Sequence, residues 1–432
     1  MDTKYSPVNR FQEEEETSEG DQPPPSKPHP ARPWRVAVIA NLKEADPFSP
    51  DAPGDAGAEF DKPETIQAIR DVIESDGHTT VFLQANTNLP NALRDFCPDI
   101  CFNIAEGQGG DAREAQVPAL LEMMSIPYTA SRVLANAISL DKTMTKRIWR
   151  DCGLLTAPFQ EMITGREPLQ ADLHFPLFIK PSREGTGMGT SLKSIVHAEP
   201  ELRQQAAWVI REYKQPALVE EYLSGREFTM GVLGRTDARR CSRRPELYGA
   251  DGFHRFLVQE IDTSHSATPG VYGLKLKKLD YNVPGSADFI IPAHISESLA
   301  QQLHQLAVRA HQAIGALDVS RVDIRLDREG KPRLIEINTL PGMSPGFSDL
   351  AVIAERGGLI YRDLILEILY LGASRFGLLA AQENFSIPVR RREMALVRLP
   401  ATPLSRQHAH TIHTTAPHPR RMQRGKRAGL KS

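Results

Sequence analysis

The alternation of apolar and polar stretches in the first hundred residues predicts a parallel β-sheet. Short runs of Val, Ile and Ala, typical of buried strands, are separated by amphipathic stretches that are typical of helices. Asp61 is predicted to cap the first helix. Because ligands bind near the carboxyl ends of parallel strands, the loop 105–111 is a candidate site. The expected order is a strand at 35–40, a helix at 61–75, a strand at 79–83, a helix at 88–96 and a strand at 100–104.

The pattern after residue 138 predicts two further units, so the expected fold class is α/β. The expected elements of the second unit are a helix at 140–152, strands at 175–180 and 217–222, and a helix at 199–212. The third unit is expected to hold a strand at 228–233, an irregular stretch at 236–292, a helix at 296–315, paired strands at 319–326 and 332–338, and helices from about 348 and 359.

Length and composition agree with several packed units in a soluble protein. The chain has 432 residues, a length that is too great for one ordinary core. Hydrophobic residues make up 40% of it and charged residues 25%, as is typical of a soluble globular protein. No stretch approaches the ~18 to 20 apolar residues that a membrane-spanning helix needs, and the N-terminus lacks the layout of a secretion signal. The four cysteines show no metal-ligand spacing. A reducing cytoplasm, with no membrane partner, is therefore expected.

Both ends of the chain are predicted to be disordered, because they hold too little apolar sequence to offset the entropy of ordering. Residues 1–33 are acidic and proline-rich. The segment 378–432 is basic, since residues 385–432 contain 11 Lys or Arg and one acid. Such a tail could contact nucleic acid or lipid. The basic residues of this tail have no regular spacing, so we expect the tail to be solvated and to have no nucleic-acid partner.

The segment 180–189 (KPSREGTGMG) is the most informative part of the sequence. Three glycines within five positions let a backbone approach a polyanion and direct its amides at it. Lys180, at the end of the preceding strand, supplies a point charge for phosphate. The alternative is a flexible hairpin with incidental glycines.

Two adjacent strands carry a second cluster of polar residues. A spacing of two puts Arg321 and Asp323 on one face of one strand, and Glu336 and Asn338 on one face of the next. Across a hairpin these faces can coincide and bring two carboxylates and an amide oxygen beside one guanidinium. Such oxygen ligands suit Mg²⁺ that bridges substrate phosphates. The alternative is an ordinary strand pair with an exposed polar face.

The segment 219–223 (VEEYL), followed by Glu227, is a weaker signal. Extended backbone that leaves a strand can offer its amide and carbonyl groups to an adenine, and a nearby carboxylate can accept from ribose hydroxyls. Taken alone, these residues favour the alternative of an ordinary structural role.

As a set, these segments resemble the D-alanine–D-alanine ligases of the ATP-grasp superfamily over roughly residues 35–377. The resemblance implies an ATP-grasp fold, with a Rossmann-like substrate domain at 34–138 and two subdomains at 139–225 and 226–377 that clamp ATP. It also suggests a homodimer. The matching segments are 127–131 (PYTAS), 140–142 (LDK), 180–185 (KPSREG), 220–229 (EEYLSGREFT), 321–323 (RVD) and 336–343 (EINTLPGM).

The resemblance implies an ATP-dependent ligation of a carboxylate to an amine through an acyl phosphate. Asp323, Glu336 and Asn338 would bind two Mg²⁺ ions, with Mn²⁺ as an alternative, and Arg321 would stabilise the tetrahedral centre. The implied ATP-binding residues are Lys142 and Lys180 at the phosphates; Glu184, Gly185, Thr186, Gly187 and Gly189 in a mobile loop; Glu220, Glu221 and Leu223 at the adenine; and Glu227 at the ribose.

The sequence departs from the family pattern where the substrates bind. An acid- and proline-rich stretch at 41–61 replaces a glycine-rich segment and leaves Glu59 as the candidate that binds the amine of the first substrate. The segment 105–114 (AEGQGGDARE) stands where the family has a histidine, and 345–348 (PGFS) replaces the segment that receives the second substrate's carboxylate. The family's site is covered by a loop that carries a tyrosine and a lysine. Four residues could correspond to them, but their spacing does not match the family's loop clearly: Tyr272, Lys275, Lys277 and Lys278.

We therefore expect a ligase whose substrate is an amino acid or a dipeptide-like compound and need not be D-alanine. The close alternative is an authentic D-alanine–D-alanine ligase of peptidoglycan synthesis. From a different class, the chain could be a nucleotide-binding module without catalysis. The complete set of Arg321, Asp323, Glu336 and Asn338 disfavours that reading.

Overall fold

The first sheet is parallel, as predicted, with its longest run of buried residues in the central strand. The computed structural model describes residues 30, 32–43, 52–279 and 283–379. The strand order is β2-β1-β3, and residues 36–40 are fully buried because helices cover both faces. The bounds are β1 (Arg35–Ala40), α1 (Pro63–Ser75), β2 (Thr79–Gln84), α2 (Leu89–Phe96) and β3 (Ile100–Asn103).

Three helices lead from the first sheet into an antiparallel second sheet. This sheet has the strand order β4-β7-β5-β6 and is covered by one helix. Its elements and those before it are α3 (Gln116–Met123), α4 (Val133–Leu140), α5 (Lys142–Asp151), β4 (Phe159–Met162), β5 (Leu177–Pro181), β6 (Ile195–Val196), α6 (Glu199–Tyr213) and β7 (Ala217–Glu221).

The third sheet is also antiparallel and contains the predicted hairpin. Its strand order is β11-β10-β8-β12-β13, and β9 also pairs with β8. The strands are β8 (Glu227–Gly234), β9 (Phe253–Arg255), β10 (Gln259–Asp262), β11 (Asp288–Ile290), β12 (Val319–Leu326) and β13 (Pro332–Asn338). The helices are α7 (Ala238–Cys241), α8 (Leu274–Lys277), α9 (Glu297–Ala313), α10 (Asp349–Arg356) and α11 (Tyr361–Arg375).

The C-terminal helices complete the core of the first sheet. Residues 364–373 of α11 are all buried. Their apolar side chains belong to one cluster with β1, α1 and α10. At the end of α11, Arg375 donates to the buried carboxylate of Asp318 at 2.9 Å, and that carboxylate also accepts from the Ala130 N–H at 2.9 Å. Sequence-distant segments are thereby fixed to one another.

The helix predicted at 140–152 is observed as α5, which begins at Lys142 because Asp141 is extended and its carboxylate caps the helix by accepting from the Met144 N–H at 2.9 Å. Two sequence-based predictions of local structure were wrong. The cap of α1 is Lys62, since the backbone of Asp61 is hydrogen-bonded to residues 41 and 43. The stretch 236–292 contains β9, β10 and β11, whose three or four residues are too few to show a clear alternation.

The described residues belong to one compact unit, so the boundaries predicted at 138 and 225 stay a prediction. The disorder predicted for 1–33 and 378–432 falls mainly on residues outside the described ranges. Among the described helices, none combines the length and the apolar character that crossing a bilayer requires.

Candidate active site

Two clefts adjoin each other at the centre of the described unit. The first cleft lies between β5, β7 and the third sheet, and the second lies between the loops of the first sheet and the end of β13. Lys142 and Glu336 line both clefts, as do Tyr272 and Lys277. A ligand in one cleft can therefore react with a ligand in the other at this shared border.

The β12–β13 pair brings the predicted polar residues together. Arg321 is opposite Asn338, and Asp323 is opposite Glu336, so all four share one face. The Arg321 guanidinium donates to both carboxylate oxygens of Asp323, at 3.0 and 2.9 Å. The Thr229 hydroxyl donates to the same carboxylate at 2.6 Å. This network fixes Asp323, while the remaining guanidinium nitrogen of Arg321, Nη1, lies 3.9 Å from a carboxylate oxygen of Asp349.

Glu336 is an ionised carboxylate among cations. Its Oε2 lies 3.3 Å from the Lys142 Nζ. Burial alone would raise the pKa of Glu336, but Lys142, Lys277, Lys180 and Arg321 hold it well below its usual range. The Nδ2 of Asn338 is buried and has no hydrogen-bond partner in the described part of the chain. The Asn338 amide can therefore turn its oxygen toward a ligand.

A buried ion triplet lies beneath the first cleft. The Glu220 carboxylate is 2.9 Å from the Lys146 Nζ and 2.7 Å from the Lys180 Nζ. Burial raises the pKa of Glu220, yet the two lysines lower it to about 2. Burial also lowers the pKa of Lys146, whereas Glu220 raises that of Lys180. Glu220 therefore orients two ammonium groups, in addition to bordering the first cleft.

The glycine-rich loop is held by a residue from the divergent stretch 41–61. The Asp55 carboxylate accepts from the Gly189 N–H at 3.1 Å and from the Tyr213 hydroxyl at 2.8 Å. Gly187 and Gly189 have φ values of +70° and +71°, and a Cβ on Gly189 would lie 2.5 Å from Pro181. These contacts fix the loop over the clefts.

A single guanidinium connects the second cleft to the same loop. Arg113 Nη2 lies 2.5 Å from Glu59 and 3.2 Å from Glu184. Its Nη1 donates to the carbonyl of Arg183 at 2.7 Å. Gln215 donates to the other oxygen of Glu184 at 2.7 Å. Glu59 is thus held at the wall of the second cleft.

Every predicted site residue except Gly189 lines one of the two clefts. The first is lined by Lys142, Lys180, Glu184, Gly187, Glu220, Glu221, Leu223, Glu227, Asp323 and Glu336. The second is lined by Glu59, Gly185, Thr186, Arg321, Asn338, and again Lys142 and Glu336. Gly189 contributes through its backbone bond to Asp55.

Comparison with known proteins identifies the family. A family profile described as "D-ala D-ala ligase C-terminus" matches residues 148–370, more than half of the chain. The chain belongs to the D-alanine–D-alanine ligase family. A D-alanine–D-alanine ligase of Moorella thermoacetica is 31% identical over 70% of this chain and 92% of its own length. An uncharacterised protein, y4sG of Sinorhizobium fredii, is 32% identical over 70% of this chain and 86% of its own.

The fold agrees with that of a solved member of the family. The D-alanine–D-alanine ligase of Bacillus anthracis superimposes with a TM-score of 0.58 and 22% identity, over 79% of this chain and 98% of that one. The predicted ATP-grasp fold is therefore confirmed. As a member of the family, the protein is an ATP-dependent ligase that forms a carbon–nitrogen bond. A nucleotide-binding module without catalysis is not favoured.

Three cations of this ligase were missed by sequence reasoning. Lys146 lies one helical turn after Lys142 on α5, and this i, i+4 spacing could have revealed it. Arg325 lies 3.3 Å from Glu227 and continues the alternation that begins at Arg321. No sequence pattern indicated a role for Arg113, because its partners Glu59 and Glu184 are distant in sequence.

We expect Asp55→Ala to loosen the glycine-rich loop of the ligase. It removes two hydrogen bonds to a carboxylate, and only the part of their free energy that orders the loop for ATP affects the KM. The KM for ATP should rise about threefold to tenfold, measured by phosphate release against ATP concentration. Tyr213→Phe removes one of the two bonds and should give the smaller part of the effect. An unchanged KM in both variants would show that this contact does not hold the loop.

Proposed function

We propose that this ligase phosphorylates the carboxylate of one amino-acid or peptide-like substrate and joins it to the amine of another. The observation that carries the proposal is the shared border at Lys142 and Glu336. ATP in the first cleft would direct its γ-phosphate toward this border, and a substrate carboxylate in the second cleft would meet it there.

In this proposal the first cleft binds ATP. Residues 220–223 would border the adenine, and Glu227 would accept from the ribose hydroxyls. Lys142 and Lys180 would lie at the phosphates, under the loop 184–189. Each ammonium is paired with a protein carboxylate, 2.7 Å away for Lys180 and 3.3 Å away for Lys142. A polyanion could then share these cations without a large rearrangement.

The polar face of β12 and β13 suits magnesium. Asp323, Glu336 and Asn338 supply oxygen atoms of the kind that Mg²⁺ prefers. We propose two Mg²⁺ ions here, with Mn²⁺ as an alternative. When bound, they would neutralise charge on the phosphates.

The reaction would proceed by two displacements. A carboxylate oxygen of the first substrate attacks the γ-phosphorus, and ADP leaves as an acyl phosphate forms. The amine of the second substrate then attacks the acyl carbon, loses a proton, and inorganic phosphate leaves. Arg321, through Nη1, would stabilise the tetrahedral oxyanion. Glu59 would hold the amine of the first substrate, and the loop 184–189 would exclude water from the acyl phosphate.

The identity of the substrates is proposed at the level of class. Relatives named D-alanine–D-alanine ligase favour amino-acid substrates. Authentic D-alanine–D-alanine ligation is the second candidate for the same reason. The segment 105–114, which stands where the family has a histidine, and the changed segment 345–348 favour other substrates. A homodimer and a cytoplasmic location stay predictions.

We expect Mg-ATP-dependent release of ADP and phosphate only when an amino-acid substrate is added. The measurement uses the purified full chain with a panel of D- and L-amino acids and dipeptides, alone and in pairs. Removal of Mg²⁺ with EDTA should abolish turnover, and added Mn²⁺ should restore part of it. Nucleotide binding without turnover on any member of the panel would contradict the proposal. Turnover on D-alanine alone would select the second candidate.

A further inference from the structure

Arg325 lies at a point of the first cleft where three segments of the chain meet. It follows Asp323 by two residues on β12 and is directly opposite Glu227 on β8, so its side chain is on the same face as the proposed metal ligand. Both Arg325 and Glu227 line the first cleft, and only 12% and 14% of their side-chain surfaces are exposed. Because buried charges are costly unless they are well paired, their contacts should be specific.

The guanidinium of Arg325 contacts all three segments through its three nitrogen atoms. Its Nε donates to the carbonyl of Gly225 at 3.0 Å, and its Nη2 donates to the Tyr222 hydroxyl at 3.3 Å. Its Nη1 donates to the Gly270 carbonyl at 3.0 Å and lies 3.3 Å from Oε2 of Glu227. Arg325 thereby connects the segment after β7, the strand that carries Glu227, and the loop that forms another wall of the cleft.

That loop fits the contact closely. Gly270 has a φ of +78°, and a Cβ there would collide with the Tyr222 hydroxyl. The same hydroxyl donates to the Gly270 carbonyl at 3.1 Å. The next two residues, Val271 and Tyr272, line the first cleft. The Gly270 carbonyl therefore accepts from two side chains that also border the proposed nucleotide site.

The charge of Arg325 favours the form of Glu227 that accepts hydrogen bonds. Burial raises the pKa of Glu227, and the charge of Arg325 is the strongest influence that opposes this rise. An ionised carboxylate only accepts hydrogen bonds, whereas a protonated one uses one oxygen as a donor. Because Oε2 faces Arg325, the carboxylate is also held in one orientation at the wall of the cleft and can present Oε1 to a ligand.

We propose that Arg325 is a positioning residue for the ribose of the nucleotide, and that it makes the ligase select ribonucleotides over deoxyribonucleotides. The inference rests on the proposed function, in which ATP occupies the first cleft and Glu227 accepts from the ribose hydroxyls. Arg325 acts through Glu227, since it fixes the orientation and the charge of that carboxylate before the nucleotide binds. A site that is ordered in advance loses less free energy to reorganisation on binding.

The test compares nucleotides that differ by one hydroxyl group. Binding of ADP, 2′-deoxyADP and 3′-deoxyADP with Mg²⁺ is measured by calorimetry on the full chain, and no amino-acid substrate is needed. We expect ADP to bind about tenfold or more tightly than at least one deoxy analogue, as a hydrogen bond to a charged group predicts. In Arg325→Met this preference should fall below about threefold, as in Glu227→Gln. The double variant Glu227→Gln/Arg325→Met should lower it no further, because both residues act as one unit.

Arg333→Met is the matched control. Arg333 is an arginine of the adjacent strand β13 that is paired with Asp327 at 3.0 Å, so its replacement should leave the preference for ADP unchanged. Arg325→Lys keeps the positive charge but loses the fork of donors, and it should retain an intermediate preference. If Arg325→Met does not fold, Arg325→Lys decides the question, because a preference as large as that of the unmodified chain would contradict the inference.

The outcomes separate this inference from the proposed function. A preference that disappears in Glu227→Gln but survives in Arg325→Met would overturn the inference and retain the nucleotide site. ADP binding without any preference in the unmodified chain would overturn the inference and the role of Glu227, while the two-step ligation would stand. Failure of ADP to bind would overturn the inference together with the proposed function.

Discussion

Glu336→Gln is expected to lower kcat by about 10²- to 10³-fold, the range typical for loss of one group that stabilises a charged transition state. Glu336 is the carboxylate on the border of both clefts, 3.3 Å from Lys142, and it is one of the side chains that would hold the magnesium ions. A neutral amide keeps its shape but removes the charge that balances the surrounding cations. The measurement is ADP release at saturating ATP and amino acid.

The control for this variant is Glu329→Gln. Glu329 lies in the exposed turn of the same hairpin and is paired with Lys331, at 2.9 Å, so its replacement should leave kcat unchanged. Circular dichroism would establish that Glu336→Gln is folded, and Asp323→Asn offers a second test on the opposite strand. Full activity in both Glu336→Gln and Asp323→Asn would rule out the proposed metal face.

Glu220→Gln is expected to destabilise the fold by about 3 to 5 kcal/mol, since it breaks a buried ion cluster by removing one partner. Lys146 and Lys180 would then be buried cations without their carboxylate, 2.9 and 2.7 Å from the substituted side chain. The free energy of unfolding in urea measures the loss. Adding Lys146→Met to the variant should restore part of the stability, because one uncompensated charge disappears.

The contribution of this buried ion cluster to the stability of the fold should depend on pH, and the direction of that dependence follows from the pKa of Glu220. The pKa of Glu220 in the folded chain is about 2, below the ~4.3 of an unfolded glutamate. The stability that Glu220 contributes is therefore present above about pH 4.3 and is lost as the pH falls toward 2. Glu220→Gln should show a weaker decline over this window than the unmodified chain. An equal decline in both would show that other carboxylates govern acid unfolding.

Much of the site could be predicted because its residues follow the two-residue period of strands. The spacing of Arg321 to Asp323 and of Glu336 to Asn338 determined one common face, and the register of the hairpin agrees with it. The same period did not reveal the contact of Asp55 with Gly189, which joins residues 134 positions apart. Loop contacts of this kind depend on tertiary packing, so no local sequence pattern predicts them.

The fold was predicted best where apolar runs are long and least well where elements are short. The parallel sheet and the long helix α9 agree with expectation, whereas β9 and β11, with three residues each, were missed. The eight-residue helix α4, which ends just before Asp141, was not predicted. Site roles that depend on bound substrate stay predictions.

The burial of α11 against β1 has a consequence for the order of events during synthesis. The first sheet is complete in sequence at residue 103, but the helix that covers one of its faces ends at residue 375. At about 5 to 20 residues per second, the ribosome needs on the order of tens of seconds to add the intervening chain. During that interval this apolar face of the nascent sheet is covered by α1 but lacks α10 and α11. Chaperone contacts should therefore concentrate on the early segment until α11 emerges.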